Sequence, residues 1–170
     1  LFCKHSYPTA IQLSKEILKN AERYEFTELC VDVCRQLRVY YGTVGNNSKL
    51  FSQYDDKLLT FAQVWQVEKE VEGHFLTIMM MQNTSKPKAS IIQAIAKAQQ
   101  WLAEEAQPVE YYKFQLCARL VELAAYTTIH DYQRAEKVCE AALTFFATKR
   151  YFAKVPFEIF TYQRLICLYQ

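Results

Sequence analysis

Cysteine, histidine and carboxylate side chains are the groups with which this chain could do chemistry. Cys30 and Cys34 stand four residues apart, so on a helix their thiols project from one side and could face a single ion. A structural zinc needs four convergent Cys or His ligands, and no second Cys or His pair has ligand spacing. Core packing of both thiols is the favoured reading. A carboxylate-bridged di-iron bundle would carry Glu three residues ahead of a histidine on paired helices. Neither His74 nor His130 has one. Glu68, Glu70 and Glu72 beside His74 read as a solvated face that pairs with Lys69. The sequence holds no nucleophile framed by glycines, no phosphate-binding loop and no dinucleotide fingerprint. No catalytic, cofactor-binding or metal-binding residue is therefore assigned, no cofactor is expected, and the chain is expected not to be an enzyme.

Two further clusters concern binding. Lys149, Arg150 and Lys154 interleave with Tyr151 and Phe152, a mixture that can hold phosphate or nucleic acid. Cations at a helix C-terminus also complement its dipole. The net charge of +2, from 20 basic and 18 acidic residues, supplies no general pull toward nucleic acid, so none is expected as a partner. Tyr40, Tyr41, Phe51 and Tyr54 flank a glycine-containing loop and are expected to pack the junction of two helices. Met79, Met80 and Met81 offer an adaptable contact surface, of which only part can face one partner.

The elements that position these residues are helical. Apolar residues make up 51% and charged residues 22% of the chain, enough for a packed core. With 3 glycines and 4 prolines, a sheet rich in tight turns would lack its turn residues. Pro8, Pro87, Pro108 and Pro156 each stand where a helical pattern begins, a place that tolerates proline because that N–H has no intrahelical partner. The patterns predict helices over about Pro8–Arg23, Phe26–Tyr41, Lys49–Met81, Pro87–Ala106, Val109–Thr127 and Tyr132–Thr148, and a seventh from near Pro156 onward. The third would extend roughly 50 Å at about 1.5 Å per residue. Its apolar stripe rotates, so its two ends should meet different neighbours, and Gly73 could break or bend it. Short connections make helices 1–2, 4–5 and 5–6 antiparallel neighbours.

No run of 18 apolar residues exists, so no membrane span is expected. The six cysteines suit unpaired core positions in a reducing compartment, which points to the cytoplasm. Leu1-Phe-Cys-Lys-His5 shows no signal pattern, and Arg164–Gln170 stops within an apolar helical pattern. Residues 1–170 are accordingly expected to form a single all-helical domain belonging to a longer chain.

The segment from Val109 to Thr148 resembles a tetratricopeptide repeat. Tyr126, Ala135, Ala142 and Leu143 stand at the spacings that motif favours, and Asp131-Tyr132 occupies its inter-helix turn. Ala135 and Ala142 lie seven apart on one face, where small side chains admit a neighbouring helix. Departures are Arg119 and Cys139 at bulky aromatic positions, Leu123 at a small one and Ala147 at the closing proline. Helices 1 and 2 repeat the architecture loosely. The resemblance implies an all-α fold of about seven helices in antiparallel hairpins, arranged as a right-handed α-solenoid with one long helix; an irregular helical bundle is the alternative. It also implies protein or peptide binding. The face of helix 5 that would clamp a carboxylate offers Cys117, Leu120, Ala124 and Thr127, which are small or apolar, so no such clamp is expected.

The expected function is a non-enzymatic scaffold that binds another protein, a peptide or a neighbouring domain of its own chain. Tyr151, Phe152, Phe157 and Phe160 are the expected partner-binding residues, because the apolar last helix needs covering. A ligand-sensing domain of a larger regulator is the alternative, and an all-α enzyme the second.

Overall fold

The computed structural model describes residues 7–84, 86–106, 109–149, 151 and 154–170. Among them are seven helices and no strand: α1 (Tyr7–Arg23), α2 (Thr27–Thr43), α3 (Ser48–Asn83), α4 (Lys88–Glu104), α5 (Tyr112–Thr128), α6 (Tyr132–Ala147) and α7 (Lys154–Leu168). The fold is all-α. Pro8 and Pro156 lie in the first turns of α1 and α7, and Pro87 directly precedes α4, as proline's missing N–H requires. Pro108 lies outside the described residues. No helix is long and apolar enough to cross a membrane, among the residues described. The chain divides into two compact units, Leu1–Gln66 and Val67–Gln170, with the division inside α3.

The first unit packs α1, α2 and the first part of α3. Leu18 and Ala21 meet Cys30, Val33, Cys34 and Leu37, and Tyr41 joins Tyr54 and Phe61 to close the cluster. Tyr24, Glu25 and Phe26 connect α1 to α2. Glu25 sits at φ 52°, and the N–H of Phe26 bonds back to the carbonyl of Ala21 at 2.9 Å. That left-handed residue and that bond end a helix and reverse the chain in few residues. The aromatic junction forms as expected: the rings of Tyr41 and Tyr54 stack at 5.6 Å. The two glycines beside it are required by packing. A Cβ on Gly42 would lie 2.9 Å from the Phe51 ring, and one on Gly45 would lie 2.9 Å from the Tyr40 ring. Asn47 then opens α3 by accepting the N–H of Leu50 at 3.0 Å. Arg38 with Asp55 and Lys57 with Glu22 tie α3 to the hairpin.

The second unit holds the rest of α3 and α4–α7. Val71 packs with Trp101, Phe114, Cys117 and Ala118, and Ile78 packs with Ile95, Ala98, Val121 and Ala125. Low numbers on α3 thus meet high numbers on α4, the signature of an antiparallel pair; α4 and α5 pair the same way. The stripe on α3 therefore does change neighbours along the helix. Gly73 neither breaks nor interrupts it, because the packing of Val71, Phe75 and Ile78 outweighs a propensity cost of about 1 kcal/mol. The turn from α5 to α6 (Ile129, His130, Asp131) repeats the one in the first unit. His130 sits at φ 60°, and the N–H of Asp131 bonds to the carbonyl of Tyr126 at 2.9 Å. Asp131 caps α6 by accepting the N–H of Arg134 at 3.1 Å. On α6, Ala135, Cys139 and Ala142 are wholly buried, and Phe146 and Phe160 fill the space toward α7. Arg164 of α7 forks onto Glu136 and Glu140 of α6.

Candidate functional site

The expected partner-binding residues separate in the structure. Tyr151 is 54% exposed and Phe157 is 48% exposed. Phe152 lies outside the described residues. Phe160 is 0% exposed, with its ring stacked on Phe146 at 5.9 Å. It is a core residue and is unavailable to a partner, because α7 turns the face bearing Pro156, Phe160 and Cys167 inward. The opposite face leaves Val155, Tyr162 and Leu165 exposed, and Tyr169, just past the helix end, is exposed as well. Of these, Tyr162 and Tyr169 carry the surface that the sequence reading passed over. Spacings of seven, three and four residues from Val155 are the helical period that marks them.

The basic cluster is partly engaged. The Lys149 ammonium donates to the carbonyl of Glu110 at 2.6 Å and lies 5.2 Å from the centre of the Phe145 ring. It serves to fasten the segment before α5. Arg150 lies outside the described residues, and Lys154 is the exposed first residue of α7.

The thiols are packing groups. Cys30, Cys34, Cys117, Cys139 and Cys167 are buried and form no disulfide with one another. Burial pushes the Cys34 and Cys117 thiols up to about 11 and the Cys139 thiol up to about 12, so all three are protonated at neutral pH. Among the described residues no three His, Cys, Asp or Glu side chains are placed to hold a metal ion. His130 has its Nδ1 2.9 Å from the Tyr132 hydroxyl, at the α5–α6 turn.

His74 is differently placed. It lies on α3 in the wall of an open groove of about 990 Å³ between α3 and α4, with Glu70, Gly73 and Thr77 on its own helix and Gln93, Lys97 and Gln100 on the other. Its ring rests 5.1 Å from that of Trp101. Burial, and then the Lys97 charge, hold the imidazole below its ordinary range, while Glu70 and Glu105 pull the other way. His74 is therefore neutral at pH 7. Gly73 forms part of the same wall. A Cβ there would meet nothing within 4 Å, so no packing contact requires the glycine. It costs the helix about 1 kcal/mol relative to alanine and leaves the backbone bare at the groove. Thr77 donates its hydroxyl to the Gly73 carbonyl at 2.8 Å. The sequence signal for this site is that glycine, inside a long helical pattern and next to a histidine.

No family model, no curated protein and no solved structure matches this chain.

Proposed function

We propose that the chain is a non-enzymatic interaction scaffold, a tetratricopeptide-like array of helix pairs that binds a protein or peptide in the cytoplasm. The partner is a separate molecule or a neighbouring domain of the same chain. Two hairpins with the same three-residue turn, Tyr24–Phe26 and Ile129–Asp131, support a repeated unit. The wholly buried Ala135 and Ala142 support the close helix packing that such a unit uses.

The observation that carries the binding reading is the outer face of α7. Val155, Tyr162 and Leu165 lie on the side of α7 away from the core, with Tyr169 just past the helix end, while the other side is already buried. Scattered exposed apolar residues are ordinary, but several gathered on one helix face, here beside the exposed Glu158, support a contact surface. Aromatic side chains are also the ones that contribute most at interfaces. The test compares the native chain with a Tyr162→Glu, Leu165→Glu double variant as immobilised bait in lysate of the source cells. A partner held by the native chain and lost from the variant supports the scaffold reading. Equal recovery on both, or no partner on either, removes it.

A further inference from the structure

Phe146 of α6 and Phe160 of α7 fix the register of their two helices. The rings stack at 5.9 Å, and Arg164 of α7 pairs with Glu136 and Glu140 of α6, so the helices run antiparallel. Cys139 lies seven residues before Phe146, and Cys167 lies seven residues after Phe160. Seven residues make about two helical turns and rise about 10.5 Å. Each cysteine therefore keeps the face of its phenylalanine, and both are displaced equally in one direction. The two thiols meet across the α6–α7 seam, within one buried cluster. After burial, the strongest influence on the Cys139 thiol is Cys167. Ala135 and Ala142, wholly buried on either side of Cys139, keep the seam narrow.

We propose that Cys139 and Cys167 are a peroxide-sensitive pair, which oxidation joins as a disulfide that fastens α7 to α6. This role is separate from partner binding by the outer face of α7. In the reduced chain both thiols are packing groups.

The other described cysteines are worse placed. Cys30 and Cys34 are one turn apart on α2, where Cβ atoms stand about 5–6 Å apart, beyond the roughly 3.5–4.5 Å of a disulfide. Cys117 packs in a cluster that holds no second cysteine among the described residues.

Access to the pair is unequal. Cys139 is 0% exposed, whereas Cys167 lies in the wall of a surface cavity of about 620 Å³ with His130, Asp131, Glu136 and Gln170. Peroxide therefore reaches Cys167 first. The thiol loses its proton to water and its sulfur attacks the peroxide. An S–O bond forms as the O–O bond breaks, and the departing hydroxide takes up a proton. The Cys139 sulfur then attacks that of Cys167. The S–S bond forms, the S–O bond breaks, and the hydroxyl leaves with the Cys139 proton as water. Two thiols are oxidised and one hydrogen peroxide is reduced to two waters. Burial above all, with Glu136 beside both thiols and Glu140 beside Cys139, holds the pair protonated at neutral pH; Arg164 opposes this at Cys139. The thiolate is the reacting form, so the reaction is slow near pH 7 and quickens as pH rises.

The experiment treats the folded Cys3→Ser chain, which keeps only the five described cysteines, with hydrogen peroxide at pH 8. Free thiols are then blocked with N-ethylmaleimide in urea, and tryptic peptides are mapped by mass spectrometry without reduction. The expected product joins residues 138–149 to residues 165–170 and is reversed by dithiothreitol. Its rate should rise about tenfold from pH 7 to pH 8, in proportion to the thiolate. The linked chain should keep its helical circular dichroism and unfold at higher urea than the reduced chain, because the bond closes a loop in the unfolded state. Cys139→Ala should leave Cys167 oxidised without a link. Oxidation of Cys167 without a link in the Cys3→Ser chain, links that favour other cysteines, links formed only when peroxide is added in urea, or no reaction overturn the proposal. A linked chain that unfolds earlier than the reduced one overturns it as well.

Discussion

Phe157 and Phe160 stand three residues apart on α7, and the same substitution at each should have opposite consequences. Phe160 is 0% exposed and stacked on Phe146 at 5.9 Å; Phe157 is 48% exposed. A buried aromatic removes roughly 150–250 Å² from water, worth about 4–6 kcal/mol at about 25 cal/mol per Å². Phe-to-Ala truncations in cores cost about 3–5 kcal/mol, so Phe160→Ala should lose about 4 kcal/mol. Domains of this kind hold only about 5–15 kcal/mol in total, and much of that margin would go. Phe157→Ala, half in water already, should lose under about 1 kcal/mol. Urea unfolding followed by far-ultraviolet circular dichroism measures both. If Phe160→Ala fails to fold, Phe160→Leu should still unfold measurably earlier than the native chain. A cost below about 1.5 kcal/mol for Phe160→Ala, or equal costs at the two positions, would refute the orientation assigned to α7.

Three other outcomes follow from the geometry. Glu25 and His130 hold left-handed backbone at φ 52° and 60°, so Glu25→Gly and His130→Gly should each stabilise by about 1 kcal/mol in urea titrations; a loss would mean the side chains contribute more than the strain costs. Gly73→Ala should stabilise by about 1 kcal/mol, since its Cβ meets nothing within 4 Å, and a destabilised variant would show that the space is occupied. Burial raises the Cys139 thiol from an ordinary 9.0 to about 12. The unfolded chain therefore loses that proton first. Its contribution is intact below pH 9 and declines as pH rises from 9 toward about 12. Thermal midpoints should fall over that range, and less steeply in Cys139→Ala; an identical slope in the variant would rule out this thiol as a source.

Much of this architecture is legible from one sequence because proline and loop residues bound the helices, and because the drift of the α3 stripe from Tyr54 and Phe61 to Val71 and Ile78 implies a change of neighbour. The turns at Glu25 and His130 carry no glycine to announce their backbone; only the shortness of the connections gives them away. Phe160 is hard to place because α7 is apolar on two opposite sides, and periodicity finds both sides without telling which one meets α6. The groove is harder still. Its walls come from residues some twenty positions apart on two helices, and each wall alone looks like a solvated face. Gly73 suggests a weak point to propensity arguments, whereas tertiary packing keeps the helix whole and leaves the glycine as an opening.

The buried face of α6 has a consequence for how this sequence can vary. At Ala135, Cys139 and Ala142 the neighbouring helices come close because the side chains are small, so there is no slack for a larger one. At Phe146 and Phe160 the opposite holds, and anything smaller leaves a void. The α5–α6–α7 stack is thus constrained from both directions. Drift at single positions is penalised whether residues grow or shrink, and only paired changes, one enlarging as its neighbour contracts, keep the total volume. Substitution in this stack should proceed by compensating couples, while the outer face of α7 remains open to change one residue at a time.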